Sequence, residues 1–163
     1  MDELVYPIHL DKPAIDAVLP HRGDIAFAES VTVWGPHNFE GVACWSSANA
    51  NIMGHFPGLP VVPGVLLIEG MAQIAGAGLL TGDPYVRSLS GDLVGVLANV
   101  RKCTFKRPVR PDTPVKFVVT CRQMAPLAVQ INAQASIEGQ EVAQFDILMA
   151  YVERAQLMQA LQD

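Results

Sequence analysis

Hydrophobic and polar positions divide the chain into three stretches with different periods. From Ile25 to Val33 the pattern is β-like, with Phe27, Val31 and Val33 on one face. Gly35-Pro36-His37-Asn38 predicts a hairpin connection, though not a tight one. Phe39 to Trp45 then alternates as a second strand, with Phe39, Gly41, Ala43 and Trp45 together. Residues 1–12 give no regular element, and Asp11 before Pro13 caps a short helix over Pro13–Val18. Leu19 to Gly23 ends that helix in a turn.

The middle stretch breaks this pattern. Ser46–Ile52 is a polar connector, and Gly54 to Gly64 is a loop dense in Pro and Gly. A long apolar helix runs from Gly64 to about Leu80, closed by Thr81-Gly82-Asp83-Pro84. Its apolar residues lie all round, which predicts protein on every side: a curved sheet and a partner subunit.

The last stretch is again β-like: Leu93–Asn99, Arg101–Phe105, Val115–Met124, Ala128–Ile137 and Val142–Val152. Turns at Ala125-Pro126 and Glu138-Gly139-Gln140 are too short for crossover helices, so these segments pair antiparallel. Residues 154–162 form a terminal helix. The resulting class is α+β, five or six strands curved around one long apolar helix.

Composition narrows the function. At 163 residues, half of them apolar and 17% charged, the chain is one globular domain with a sizeable core. A formal net charge of −5 argues against nucleic acid as a partner. Cys44, Cys103 and Cys121 are widely spaced and lack metal-type Cys/His spacing, so they are expected as reduced thiols of a cytoplasmic chain that uses no metal. Met1-Asp2-Glu3-Leu4 starts acidic and carries no export pattern. The apolar run at Gly64–Leu80 spans roughly 25 Å as a helix, short of a bilayer core, and contains Glu69 and Gln73. A buried helix is expected, with no membrane partner.

Three features of the middle stretch carry chemistry. His55 is a base-type side chain in a loop stiffened by Pro57, Pro60 and Pro63. Glu69 is the one formal charge between Gly64 and Gly82; desolvation on an apolar helix raises a carboxyl pKa and keeps it ready to donate a proton. A structural ion pair is the alternative for Glu69. Gln73 lies one turn later on the same face, placed to orient the carboxyl or to satisfy a backbone group. Gly64, at the helix N-terminus, offers a free amide to an oxygen gaining negative charge. A base, an acid and an oxyanion donor fit elimination of water from a 3-hydroxyacyl thioester, among other acid/base reactions. His9, His21 and His37 have no identifiable partner and are expected to be structural.

The run Gly54-His55-Phe56-Pro57-Gly58, Pro60, Pro63-Gly64-Val65 and Glu69-Gly70-Met71-Ala72-Gln73 closely resembles the signature of bacterial 3-hydroxyacyl-[acyl-carrier-protein] dehydratases of the FabZ type. Leu19-Pro20-His21-Arg22 and Phe105-Lys106-Arg107-Pro108-Val109 resemble flanking stretches of the same family. The resemblance implies one hotdog domain over residues 1–163, the long helix as filling and the sheet as wrap. It implies His55 and Glu69 as the catalytic pair, completed across a homodimer that often assembles further into a hexamer, a trimer of dimers. It implies Gly64 with Val65 at the thioester carbonyl, the Val61 carbonyl as the partner fixing the His55 ring, and no cofactor. Glu rather than Asp at the acid position favours this branch over the isomerising one.

Departures follow Arg22, where Gly23-Asp24-Ile25-Ala26-Phe27 replaces the usual aromatic-Pro-apolar run, and precede His55 in Ser46–Met53. They bear on the substrate tunnel and on a housekeeping against a specialised pathway. Arg101, Lys102, Lys106, Arg107 and Arg110 crowd into ten positions; a solvated face is one reading, and docking of an acidic acyl carrier protein bearing a phosphopantetheine-linked substrate is the other. A hotdog thioesterase and a non-catalytic acyl-binding subunit are the alternative functions.

Overall fold

Period-two runs and one glycine-rich apolar helix build the molecule, which is a computed structural model describing residues 3–89 and 91–162. Met1 and Asp2, where the acidic N-terminal reading begins, lie outside the described residues. The strands are β1 Ile8–Leu10, β2 Ala28–Gly35, β3 Asn38–Ala43, β4 Leu93–Phe105, β5 Val115–Ala125, β6 Ala128–Ile137 and β7 Gln140–Glu153. The helices are α1 Lys12–Val18, α2 Ala50–His55, α3 Gly64–Gly82, α4 Pro84–Ser88 and α5 Arg154–Ala160.

One antiparallel sheet runs β1-β2-β3-β5-β6-β7-β4. It has seven strands rather than five or six, because Ile8–Leu10 pairs with Leu10 opposite Val31, in a segment expected to be irregular. The β2–β3 connection is also tighter than expected: Gly35 pairs with Asn38 across a two-residue link, with a register shift between Val33 and Gly35. Glu138 and Gly139 both have positive φ, 49° and 79°, and close the β6–β7 hairpin with the primed-turn geometry that matches strand twist. Arg101 and Ala98 fall at register shifts in β4, so two expected strands are one bulged strand.

The sheet wraps α3. Phe39, Ala43, Phe117, Val119, Ile131 and Ile147 point inward and are buried, as are Met71, Ile74, Ala75 and Leu79 of the helix. Close approach explains two glycines. A Cβ on Gly41 would stand 2.6 Å from Ile74 Cγ2, and one on Gly78 would stand 2.5 Å from Phe39 Cγ. Small residues thus let helix and strand backbones touch. This is the hotdog arrangement that the family resemblance implies.

α3 is long and apolar enough to cross a membrane by composition, but its middle is packed inside the sheet. The sheet covers only part of the helix: in the single chain Val65 is 69% exposed and Leu80 37%. β4, a sheet edge, leaves Leu97, Val100 and Phe105 each about half exposed. The open side of the helix and the bare strand therefore form one uncovered flank.

Candidate active site

The acid side is built from α3 outward. Glu69 is half-buried in the second turn of the helix, and one turn on stands Gln73, which is buried. Gln73 Oε1 accepts the Phe27 amide at 2.9 Å and the Ala28 amide at 3.2 Å. Gln73 Nε2 donates to the Ile25 carbonyl at 2.7 Å and to Glu69 Oε1 at 2.9 Å. Backbone groups on both sides fix which way the carboxamide points, and every hydrogen it carries is used. Gln73 therefore does both things expected of it: it satisfies backbone groups and orients the carboxyl.

A second group reaches the same oxygen. His21 Nε2 lies 3.2 Å from Glu69 Oε1. This corrects the expectation that His21 has no partner; the signal was its place in the family-like Leu19-Pro20-His21-Arg22 run. Ionisation is corrected with it. The His21 contact, with the Gln73 bond, outweighs burial and holds the Glu69 carboxyl below its ordinary range in the single chain. Burial alone predicts the opposite sign. Glu69 lines a groove of about 470 Å³ running under α1 and along β4, walled by Leu80, Leu89, Leu93, Val94 and Met149.

The base side is built from α2. His55 is the last residue of this short helix rather than a free loop residue. Asn49 caps it, accepting from the Asn51 amide at 2.9 Å, and its Nδ2 donates to the Asp24 carbonyl at 2.7 Å. Asn49 is buried, and it ties the helix carrying the base to the loop following His21. In the sequence it reads only as part of the polar connector Ser46–Ile52. His55 Nδ1 sits 3.1 Å from the Val61 carbonyl, the partner implied by the resemblance. A carbonyl only accepts, so Nδ1 carries a proton, and in the neutral ring the lone pair is on Nε2. The ring stacks on Phe56 at 4.0 Å, and Val62 is anchored by its amide bond to the Val109 carbonyl.

Gly64 and His55 line one cleft of about 320 Å³, together with Leu67, Phe105 and Val109. Leu66 donates back to the Pro63 carbonyl, while the Gly64 and Val65 amides at the start of α3 have no backbone partner among the described residues. A Cβ on Gly64 would stand 3.0 Å from the Phe105 ring, so only glycine gives that ring its close approach. The chain brings together His55, Val61 and Gly64, and separately Glu69, Gln73 and His21. It does not place His55 and Glu69 in one cavity.

The basic run is only partly free. Arg101 lies 3.7 Å from Asp146, Lys106 2.8 Å from Glu141, and Arg107 donates to Gln140 at 2.9 Å. Lys102 and Arg110 have no acidic partner among the described residues. The other histidines are also partnered: His9 with Thr32 and His37 with Asp83, each at 3.1 Å. Asp83 is buried and caps α4, which makes the His37 pair a structural one. Cys44, Cys103 and Cys121 are free thiols; burial pushes Cys121 up to about 12. No group of three or more potential metal ligands occurs among the described residues.

Residues 48–146 match the family model described as the FabA-like domain. The chain is 32% identical to the 3-hydroxyacyl-[acyl-carrier-protein] dehydratase FabZ of Latilactobacillus sakei, over 81% of this chain and 91% of that one. It is 33% identical to the FabZ of Rhizobium rhizogenes, over 80% of each. In fold it resembles the dehydratase heterocomplex ApeI:P from Xenorhabdus doucetiae, with TM-score 0.73 and 14% identity over 98% of this chain and all of that one. The fluoroacetyl-CoA thioesterase FlK is similar in fold at TM-score 0.62 and 10% identity, over 77% of this chain and 92% of that one.

Proposed function

The chain belongs to the FabA-like family, and on that premise we propose that it dehydrates a 3-hydroxyacyl thioester on acyl carrier protein to the trans-2-enoyl thioester, in fatty-acid or related acyl-chain synthesis. One observation carries the assignment of the base: His55 Nδ1 is held on the Val61 carbonyl, which leaves Nε2 as the nitrogen free to take a proton, in a residue that lines the cleft beside Gly64.

The reaction follows from that geometry. The Gly64 amide, with Val65 beside it, receives the thioester carbonyl, whose polarisation acidifies C2. His55 Nε2 takes the C2 proton, and the C2–H electron pair becomes the C2=C3 double bond. The C3–O bond breaks as Glu69 gives its proton to the departing hydroxyl, which leaves as water. Return of the proton from His55 to Glu69 through solvent resets the site. An acyl chain filling the groove excludes water from Glu69, and desolvation is the influence that opposes its two donors and favours the protonated acid.

His55 and Glu69 line separate cavities in one chain, so the complete site is read as formed between two chains, the His55 cleft of one facing the Glu69 groove of the other. The bare edge of β4 and the exposed Val65, Leu97, Val100 and Phe105 support a homodimer along this flank. A trimer of dimers is the proposed higher assembly. The three free thiols and the carrier-borne substrate fit work in the cytoplasm.

The test is hydration of a crotonyl thioester, followed by loss of enoyl absorbance, by wild type, His55→Ala and Glu69→Gln. Each variant is expected to lose at least about a hundredfold in turnover. Mixing the two inactive variants is expected to restore part of the activity, since a mixed dimer keeps one intact site. Near-wild-type turnover by either folded variant overturns the pair. Release of free thiol without enoyl change would point to thioester hydrolysis instead.

A further inference from the structure

The proposed reaction leaves His21 without a role, although it touches the acid. Its ring is presented by a clamped loop: Arg22 Nη1 donates to the Leu19 and His21 carbonyls at 2.7 and 2.6 Å, and Nη2 to the Asp16 carbonyl at 2.7 Å. Its Nε2 meets Glu69 Oε1, while its Nδ1 is buried with no hydrogen-bond partner. We propose that His21 is a positioning residue for the dehydration: as a neutral imidazole it donates Nε2–H to Glu69 Oε1 and, with Gln73, reserves that oxygen as an acceptor, so that the transferred proton travels on Oε2. This rests on the reading of Glu69 as the acid.

The tautomer follows from the buried nitrogen. An imidazolium would place a second N–H at Nδ1, where it would be a buried donor without an acceptor, a rare and costly state. The other neutral form has the same orphan N–H and would also turn the Nε2 lone pair towards a carboxylate oxygen. Only the Nε2–H form gives a favourable contact at 3.2 Å and leaves Nδ1 without a hydrogen.

The carboxyl is then fixed from two sides. Gln73 cannot flip, because the Phe27 and Ala28 amides hold its oxygen. Oε1 thus receives two N–H donors from two elements, α3 and the loop after α1. A proton on Oε1 would have to displace one of them. Oε2 has no partner among the described residues, and it is the oxygen left to face a substrate hydroxyl.

The other charged or titratable groups along the groove do not compete for this carboxyl. Asp92, before β4, and Arg154, opening α5, bond to each other at 2.8 Å, and Tyr151 of β7 is buried. Arg22 is spent on backbone carbonyls. The depressed pKa of the Glu69 carboxyl agrees with two donors on one oxygen.

The test compares His21→Gln, whose amide nitrogen replaces the neutral Nε2 donor, with His21→Leu, which has none. The readouts are the titration of the Glu69 carboxyl carbon in protein labelled with [δ-13C]glutamate, assigned through Glu69→Gln, and kcat against KM for a crotonyl thioester. The Glu69 resonance is expected to titrate below the other glutamates in wild type and His21→Gln, and to move upward by roughly one pH unit in His21→Leu. Turnover is expected to fall roughly tenfold in His21→Leu with KM within about twofold, and to recover in His21→Gln. An unmoved Glu69 titration in His21→Leu overturns the contact. A His21→Gln titration matching His21→Leu overturns the neutral donor, because the positive charge would then be what mattered. The titration does not depend on catalysis: an active Glu69→Gln would overturn Glu69 as the acid and leave the hydrogen bond to be judged from the spectra.

Discussion

Gln73 donates to Glu69 Oε1 at 2.9 Å while its own oxygen holds the Phe27 and Ala28 amides, so one buried carboxamide couples the acid to the start of β2. The helix places the two residues one turn apart, and the backbone between Ile25 and Ala28 sets the sense of the amide. Gln73→Leu keeps the shape and removes every one of these bonds. It leaves two buried amides and the part-buried Ile25 carbonyl without their partner, which predicts a loss of about 2–4 kcal/mol in urea unfolding. Turnover of the folded fraction is expected to fall as well, because Glu69 loses one of the donors that orient it. A stability change below about 0.5 kcal/mol would mean that water replaces the amide at this site.

Glu69 itself makes stability depend on pH. Its folded-state pKa is depressed, chiefly by the His21 contact and then by Gln73. The unfolded value is about 4.3. A depressed carboxyl contributes stability that is fully present above the unfolded value and is lost as pH falls through the folded one. Wild type is therefore expected to lose urea stability more steeply than Glu69→Gln on going from pH 6 towards pH 3. A third of the side chain remains solvent-exposed (34%), which keeps the difference modest. Parallel stability curves for the two proteins would show that the carboxylate is not specifically held in the folded chain.

Much of this arrangement was legible in the sequence, for identifiable reasons. Alternation at Phe27, Val31 and Val33 and at Phe39, Gly41 and Ala43 is a local signal, and those residues do face the core. α3 was legible because proline before it and Asp83-Pro84 after it are local stops. β1 was missed because three residues between prolines carry too little pattern; their strand exists only because Val31 and Val33 lie opposite. The site divided in the same way. His55, Gly64 and Glu69 stand out as candidates by residue type and by their family-like setting. The His21–Glu69 contact joins residues far apart in sequence through a loop clamped by Arg22, and no local period reports it. The sign of the Glu69 shift depended on that contact, so burial alone gave the wrong direction.

The glycines of α3 allow a contrast between two substitutions on one helix. Gly→Ala inside a helix ordinarily stabilises by about 0.5–1 kcal/mol. At Gly76 the new Cβ would lie 3.5 Å from Leu19 Cδ2, an ordinary contact, so Gly76→Ala is expected to show that gain in urea unfolding. At Gly78 the Cβ would fall 2.5 Å from Phe39 Cγ. Overpacking there outweighs propensity, and Gly78→Ala is expected to lose about 1–3 kcal/mol. Gly76 also lines the acyl groove, so the same stabilising methyl is expected to raise KM for long-chain thioesters more than for crotonyl. Equal effects of the two substitutions would mean that the helix shifts along the sheet to make room.

The basic run near β4 gives the last prediction. A chain of net charge −5 repels an acidic carrier protein at long range, so docking requires a local positive patch that is not already neutralised. Lys106 and Arg101 face Glu141 and Asp146, which cancels much of their field, whereas Lys102 and Arg110 have no acidic partner among the described residues. The two unpaired cations should therefore dominate encounter with the carrier. Lys102→Glu and Arg110→Glu are each expected to raise KM for the carrier-bound substrate several-fold at low salt. Lys106→Gln is expected to change it little, because it removes one charge from an existing pair. KM for a short thioester lacking the carrier protein serves as the control, and it should stay constant in Lys102→Glu and Arg110→Glu, since neither residue lines the His55 cleft or the Glu69 groove, whereas Lys106 does line the His55 cleft. Rising salt should erase the difference between wild type and the two charge reversals, because screening weakens exposed charges beyond about 10 Å. If Lys106→Gln instead gave the largest effect, docking would depend on the Lys106–Glu141 pair holding the end of β4 against β7. The patch would then act through the shape of the strand rather than through its charge.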